Sequence, residues 1–190
     1  MTEQYRSSTG IRGRLARRIG GAGLAAVAVA GLGLAGAGAA EAASSSATPT
    51  CTASGLDASF GKRLAGGMNH QGVVLKVKNT SGHTCYLRGY PGLGLENDQH
   101  RTLASSTHWG NTWYAKDPGK KTLALKNGQS AEAVVSWTHA NTGTSDAKHA
   151  SYLQVTPPAS TEHKTLKFPN WVDNGRLAVT AFAPSVPLNG

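Results

Sequence analysis

The sequence is poor in acidic residues, cysteine and aromatic side chains. Of its 190 residues only ten are Asp or Glu and two are Cys, and the aromatic fraction is 6%. With 39% apolar and 15% charged residues, the chain is neither a highly charged disordered protein nor a multi-pass membrane protein. Its length leaves room for one domain, which excludes a large two-domain enzyme.

The first 42 residues have the pattern of an export signal. Five Arg lie within the first 18 residues, and residues 19–40 carry no charge. Ala40-Glu41-Ala42 has the small-residue form that a signal peptidase accepts, so residues 1–42 are predicted to be a signal peptide. A retained transmembrane anchor is the alternative, because these 22 uncharged residues could cross about 30 Å of hydrocarbon. The seven Gly among them favour the cleaved signal.

The chain that follows the predicted signal stays basic. Residues 43–190 contain 14 Lys or Arg and 8 Asp or Glu, a net charge of +6. An excess of this size favours attraction to anionic polymers such as wall phosphates or acidic polysaccharide, although many basic surfaces only keep a protein soluble. We therefore expect a secreted, extracellular protein that is either released or held non-covalently at the wall, and that meets the membrane only through its signal peptide.

The remaining sequence predicts an all-β domain. Residues 43–50 are predicted to be a flexible polar linker, 51–184 the folded domain and 185–190 a C-terminal tail. Apolar residues alternate with period two in short runs separated by Gly, Asn, Pro and Ser clusters, and no segment shows a convincing 3.6-residue stripe. About seven to nine antiparallel strands in a two-sheet β-sandwich suit a domain of this size.

The strongest local pairing pattern is a hairpin. Residues 122–126 and 130–138 alternate inward and outward side chains on either side of Asn127-Gly128, a dipeptide typical of tight β-turns. The residues expected to point inward are Leu123, Leu125, Ala131, Ala133, Val135 and Trp137. Pro169 is expected to end one of the late strands, because proline removes a ladder hydrogen bond. The other predicted strands are residues 72–79, 83–88, 93–96, 152–156, 165–168 and 177–182. In the first of them, Val73, Leu75 and Val77 are expected to face the core.

Cys51 and Cys85 are predicted to form a structural disulfide. Both lie beside strand patterns in the exported part of the chain, where disulfides form and persist. A reactive thiol pair would require a C-x-x-C spacing or a nearby Lys or His environment, and a separation of 34 residues offers neither.

The sequence lacks the spacings that catalytic and metal sites require. Its seven His show no H-x-H, H-x-x-x-H or H-E-x-x-H, and there is no G-x-S-x-G. The carboxylates of Asp98, Asp117, Asp146 and Asp173 neighbour turn-forming residues and are expected to stabilise turns. We therefore expect a non-catalytic protein with no metal, no cofactor and no specific nucleic-acid partner.

One loop is the best candidate for a binding surface. Trp109, Trp113 and Tyr114 lie within six residues of a polar stretch, close to Lys116 and to Lys120-Lys121. Such aromatics can form a stacking platform for a sugar ring or an anchor for a protein, and the alternative is that they plug the open end of the sandwich. A weaker candidate is the outward strand face with Lys76, Lys78, Tyr86 and Arg88.

A family resemblance extends over nearly the whole predicted domain. Its most specific element is Cys85-Tyr86-Leu87-Arg88-Gly89-Tyr90-Pro91-Gly92, preceded by Asn79-Thr80-Ser81-Gly82 and followed by Leu123 to Ala131 and by Leu153 to Pro158. Over residues 51–183 the chain resembles the domain of unknown function 4232 family of secreted and lipid-anchored actinobacterial proteins. The resemblance implies an immunoglobulin-like β-sandwich outside the cell with the paired cysteines structural, and it implies no reaction. Asn127-Gly128 stands where members usually have Pro-Gly.

These observations together predict a secreted, non-catalytic binding module. Its expected ligand is anionic or glycan cell-wall material, contacted through the aromatic loop and the adjoining lysines. The alternative is an accessory or inhibitor protein whose loops bind a secreted enzyme.

Overall fold

The computed structural model describes residues 47–141 and 143–189. The predicted signal peptide and the first residues of the predicted linker lie outside this part of the chain. The described residues form an all-β domain without helices, and none of their segments is a helix able to span a membrane. The ten strands are β1 (Leu56–Ala65), β2 (His70–Asn79), β3 (Cys85–Arg88), β4 (Gly92–Glu96), β5 (Thr102–Leu103), β6 (Ser106–Trp109), β7 (Thr122–Leu125), β8 (Ser130–His139), β9 (Ala147–Thr156) and β10 (Lys164–Val179).

Eight of these strands form one large sheet that curls into a half-barrel. The strand order is β1-β2-β8-β10-β9-β4-β5, and β6 pairs with the end of β10. β3 and β7 form a separate two-stranded sheet. All pairs are antiparallel except β6 with β10, which is parallel. The predicted all-β antiparallel fold is thus confirmed, and the curled large sheet with the small sheet is compatible with the immunoglobulin-like sandwich that the resemblance implies.

The main core is formed by side chains from both the large and the small sheet. The predicted inward residues Val73, Leu75 and Val77 of β2 are buried in it, and so is Trp137 of β8. Val74 is buried as well, although it points to the opposite face. It belongs to a second, smaller cluster with Val134, over which Tyr114 and the C-terminal residues Val186 and Leu188 pack. β2 and β8 are therefore apolar on both faces, so period-two alternation describes them only in part.

The predicted pairing of β7 with β8 in a hairpin is wrong, although the residues predicted to point inward are buried or partly buried against the main core. β7 pairs with β3, and β8 pairs with β2 on one edge and β10 on the other. Both edges of β8 are therefore occupied, and the Asn127-Gly128 turn directs β7 into the small sheet. Leu125, Ala131 and Val135 are nevertheless buried in the main core as expected.

The late strands also differ from the prediction. Residues 165–168 and 177–182 were expected to be separate strands, whereas residues 164–179 form the single strand β10. Pro169 is accommodated inside it because the pairing with β9 shifts register between Lys167 and Asn170, where a bulge removes the need for a ladder donor. The sequence pattern also missed β1, β5 and β6, which accounts for ten strands where seven to nine were expected.

The small sheet is fastened to the large one by a disulfide and a buried amide. Cys51 and Cys85 form the predicted disulfide, and both are buried in the main core. Just before β1, the Pro49 carbonyl accepts a hydrogen bond from the Tyr86 amide at 2.8 Å, so the last linker residues are fixed on β3. Asn79, at the end of β2, is fully buried and donates to the carbonyls of His83 and Leu125 at 2.7 and 2.8 Å.

Candidate functional site

The six candidate residues of the predicted aromatic loop line three depressions. Trp109 ends β6 and lines a cleft with Lys120. Trp113 and Tyr114 line a second depression with Lys62 and Arg63. Lys116 and Lys121 line a third, where the C-terminal segment 183–189 crosses the loop.

Trp113 and Tyr114 have different environments. The Trp113 side chain is half-exposed and stacks on His70, with ring centroids 3.7 Å apart. The Tyr114 ring packs into the second cluster, its hydroxyl donates to the His70 carbonyl at 2.6 Å, and burial raises the pKa of its phenol. It fits because Gly72 has no side chain: a Cβ there would lie 2.7 Å from the Tyr114 ring. Tyr114 is therefore a structural anchor of the loop.

The cleft that contains Trp109 has the features of a binding site. Tyr90 and Trp109 form one wall, with rings nearly parallel (7°) and centroids 5.6 Å apart. Trp109 is 55% exposed, so one face of its ring is open to a ligand. The Lys120 Nζ lies 5.6 Å from the centroid of the Tyr90 ring, and Arg88 also lines the cleft. The cleft has a volume of about 360 Å³, within the range of small-molecule sites.

The Tyr90 ring is held in place by a carboxylate. Its hydroxyl donates to Asp117 Oδ2 at 2.5 Å, and Asp117 Oδ1 accepts the Ala181 amide at 2.8 Å. The hydrogen bond to Asp117, burial and the negative charge together raise the pKa of the Tyr90 phenol. Asp117 was expected to stabilise a turn, and its amide is bonded to Asn111 Oδ1. It also connects the aromatic wall to the chain that follows β10.

Backbone geometry brings the two walls of the cleft together. Gly89 follows β3 with a φ of +118°, a conformation that favours glycine, and its carbonyl accepts the Phe182 amide at 2.9 Å. Pro158 lies beside Gly89, 3.7 Å from where a Cβ would stand. The second wall is the turn after β9, with the hydroxyls of Thr156 and Ser160 at either end. Tyr90 and the Thr156 to Pro158 part of the second wall thus come from segments that carry the family resemblance, whereas Trp109 does not.

The electrostatics of the cleft favour an anionic ligand. Within residues 47–141 and 143–189 only two ion pairs form, Lys76 with Glu132 and His100 with Glu96. Arg88 and Lys120 therefore have no ion pair among the described residues. No Asp or Glu is among the described residues that line the cleft, and Asp117, which accepts from the Tyr90 hydroxyl, has both oxygens engaged in hydrogen bonds.

A second polar centre lies on the large sheet. Glu96 is 4% exposed, and its carboxylate accepts hydrogen bonds from Gln154 and from His100 Nδ1, the latter at 2.8 Å. Burial opposes the charge of this carboxylate, but the hydrogen bonds from His100 and Gln154 and the nearby His163 outweigh it and lower its pKa. No group of three or more His, Cys, Asp or Glu in the described part of the chain is arranged to hold a metal ion.

The sequence analysis identified only part of the cleft. Trp109 and Lys120 were among the predicted site residues, and Arg88 belonged to the weaker candidate face. Tyr90 and residues 156–158 entered only through the family resemblance and the predicted strand 152–156, and neither was predicted to line a site. The relevant pattern was the aromatic residue inside Gly89-Tyr90-Pro91-Gly92, because a turn can present a ring that a core strand would bury.

The comparisons with known proteins identify a family but no characterised relative. Searches among curated proteins and among solved structures find no match. A family model described as "Domain of unknown function (DUF4232)" matches residues 51–183, well over half of the chain. The matched range begins at the first disulfide cysteine and ends just beyond β10. The chain therefore belongs to the DUF4232 family.

Proposed function

We propose that this protein is an extracytoplasmic, non-catalytic binding module that recognises anionic glycan material of the cell wall through the Tyr90–Trp109 cleft. The observation that carries the proposal is a fixed aromatic wall next to Lys120 and Arg88, two cations that form no ion pair among the described residues. A sugar ring stacks on an exposed indole face, while ammonium and guanidinium groups attract phosphate or carboxylate substituents.

The proposed location outside the cytoplasm is supported by the disulfide. Cys51 and Cys85 are joined in the core, and such bonds are rare where thiols are kept reduced. Fractionating a culture into cytoplasm, medium and washed wall tests the location. We expect the protein in the wall fraction, released by a salt step. Recovery in the cytoplasm would contradict the proposed location.

Binding to isolated walls tests the proposed ligand. The purified protein is mixed with walls before and after removal of their phosphodiester-linked polymers, at about 0.05 M and 0.5 M salt. Because surface charges are screened within about 10 Å at 0.1 M salt, we expect weaker retention at high salt and on the stripped walls. Equal retention at low and high salt, and on intact and stripped walls, would contradict recognition of an anionic polymer.

A matched lysine pair separates the cleft from the general positive charge. Lys120→Gln removes the cation over the Tyr90 ring, whereas Lys126→Gln removes an exposed cation outside the cleft. Both variants lose one positive charge. We expect a several-fold weaker retention only for Lys120→Gln, and equal losses would indicate binding by net charge alone.

A protein partner is the second candidate function, and the surface around Trp113 favours it. Trp113 is half-exposed, and Met68, at the tip of the β1–β2 hairpin, is 81% exposed. The Trp113 indole lies against the same hairpin, beside Gly66. Exposed apolar side chains on adjoining loops are typical anchors of protein interfaces. Capture of one secreted enzyme from the medium that persists at high salt and is lost in Trp113→Ala would support the accessory or inhibitor function.

A further inference from the structure

One cavity of the large sheet is built from two irregular strand segments. The pairing of β1 with β2 shifts register between Phe60 and Arg63, and that of β10 with β9 shifts between Lys167 and Asn170. Seven of the nine residues that line the cavity come from these two segments. Bulges redirect side chains and are common at barrel rims and beside functional sites, so the cavity is a feature of the fold and not a gap in regular pairing.

The curl of the large sheet brings the two bulges together. β1 and β10 do not pair, because β2 and β8 lie between them in the sheet. Across the opening, Arg63 Nη2 donates to Asn170 Oδ1 at 3.5 Å. The cavity therefore lies between β1 and a part of β10 that has no partner in β8.

The wall of the cavity is aromatic. The Phe168 ring lies 4.7 Å from the Trp137 ring and 6.0 Å from the Phe60 ring, measured between centroids. The volume of the cavity is about 240 Å³. This volume is larger than the roughly 150 Å³ of an apolar cavity known to bind benzene, and it is smaller than the pockets that bind drug-sized molecules. A single aromatic ring with a short substituent fits this size.

The rim of the cavity is cationic. Arg63 and Lys167 line it, no Asp or Glu does, and neither cation belongs to an ion pair among the described residues.

We propose that this cavity binds a small aromatic carboxylate, with its ring against Phe60, Trp137 and Phe168 and its carboxylate at Arg63 and Lys167. The guanidinium of Arg63 suits a carboxylate because its donors form a planar fork. This site is separate from the Tyr90–Trp109 cleft and shares no residue with it.

Titration of the ¹⁵N-labelled domain with phenylacetate tests the proposal. The indole NH of Trp137 is the reporter, and those of Trp109 and Trp113 are internal controls because neither residue lines the cavity. We expect a saturable shift of the Trp137 resonance, with affinity at least fivefold weaker for phenylacetamide, which lacks the charge, and for acetate, which lacks the ring. No Trp137 shift up to about 20 mM phenylacetate, or equal affinity for phenylacetamide, would overturn the proposal.

Two double variants with equal charge loss test the rim. Arg63→Gln with Lys167→Gln removes the cavity cations, whereas Lys78→Gln with Lys126→Gln removes two exposed cations elsewhere. All four side chains are exposed, so both variants should fold, which the spectrum itself verifies. We expect at least fivefold weaker phenylacetate binding only in the first. Equal affinities in the two variants would show that the rim does not bind the carboxylate and would overturn this assignment.

Discussion

Replacing Asn79 with Ala should be among the most damaging single substitutions in the domain. The Asn79 side chain is fully buried where β2 ends and the small sheet begins. Its amide donates to the His83 and Leu125 carbonyls, and its Oδ1 accepts from the amide and the hydroxyl of Ser81 at 2.9 and 2.7 Å. The variant loses all four hydrogen bonds and leaves the Leu125 carbonyl without this partner.

The expected cost follows from the number and burial of these bonds. A typical hydrogen bond contributes about 1 kcal/mol net, and leaving a buried partner unsatisfied costs more. We therefore expect Asn79→Ala to lower the free energy of unfolding by about 4 kcal/mol, a large share of the roughly 5–15 kcal/mol that stabilises a domain. With a urea m-value of about 2 kcal/mol/M, the unfolding midpoint should fall by about 2 M.

Urea unfolding of the oxidised protein, followed by tryptophan fluorescence, measures this loss. Asn97→Ala is the matched control, because Asn97 Oδ1 also accepts two backbone amides, at 3.0 and 2.8 Å, but in an exposed turn. We expect that control to lose less than about 1.5 kcal/mol. Asn79→Asp keeps the acceptors and loses both donors, so it should be nearly as unstable as Asn79→Ala. A loss for Asn79→Ala no larger than that of Asn97→Ala would refute the reasoning.

Three further predictions follow from the contacts described above. Replacing Cys51 and Cys85 with Ser should lower the free energy of unfolding by about 3–4 kcal/mol on the chain-entropy model, measured in urea against the oxidised protein; an unchanged midpoint would contradict it. Because the folded state lowers the pKa of Glu96, the ionised Glu96 stabilises the fold at neutral pH, and this stabilisation is lost as the pH falls below the pKa of about 4.5 that Glu96 has in the unfolded chain. The difference in free energy of unfolding between wild type and Glu96→Gln should therefore become smaller in acid. A difference that does not depend on pH would exclude this linkage. Gly72→Ala should cost about 1–3 kcal/mol in thermal unfolding because its Cβ would overlap the Tyr114 ring, whereas a neutral effect would mean that the ring relocates freely.

The composition and alternation of the sequence were sufficient to predict the β class, most strands and the disulfide. The inward residues of β2 and β8 followed from period two, since one face of each strand packs on the main core. The pairing of β7 did not follow, because the local turn pattern at Asn127-Gly128 carries no information about β2 and β10, which occupy both edges of β8. Long-range pairing is decided by the whole fold.

The candidate cleft shows the same limit for function. Trp109 and Lys120 were predicted because they lie in one polar stretch of the sequence, and a single sequence shows directly only which residues are close along the chain. Tyr90 and the Thr156 to Ser160 wall join them only after β3, β6 and β9 have been brought together by the fold. Conversely, Tyr114 lies in the same loop but packs against the second cluster, because Gly72 has no side chain to exclude its ring. Tyr114 therefore anchors the loop and does not line the cleft.

Wall binding by two single variants tests the central claim most directly. Trp109→Ala removes the open face of the cleft, whereas Trp113→Ala removes a tryptophan of nearly equal exposure, 50% against 55%, that lies outside it. A stacked aromatic anchor typically contributes at least 2 kcal/mol, so we expect Trp109→Ala to weaken binding to isolated walls more than tenfold and Trp113→Ala to change it less than twofold. Equal binding by wild type and Trp109→Ala would contradict recognition through the Tyr90–Trp109 cleft.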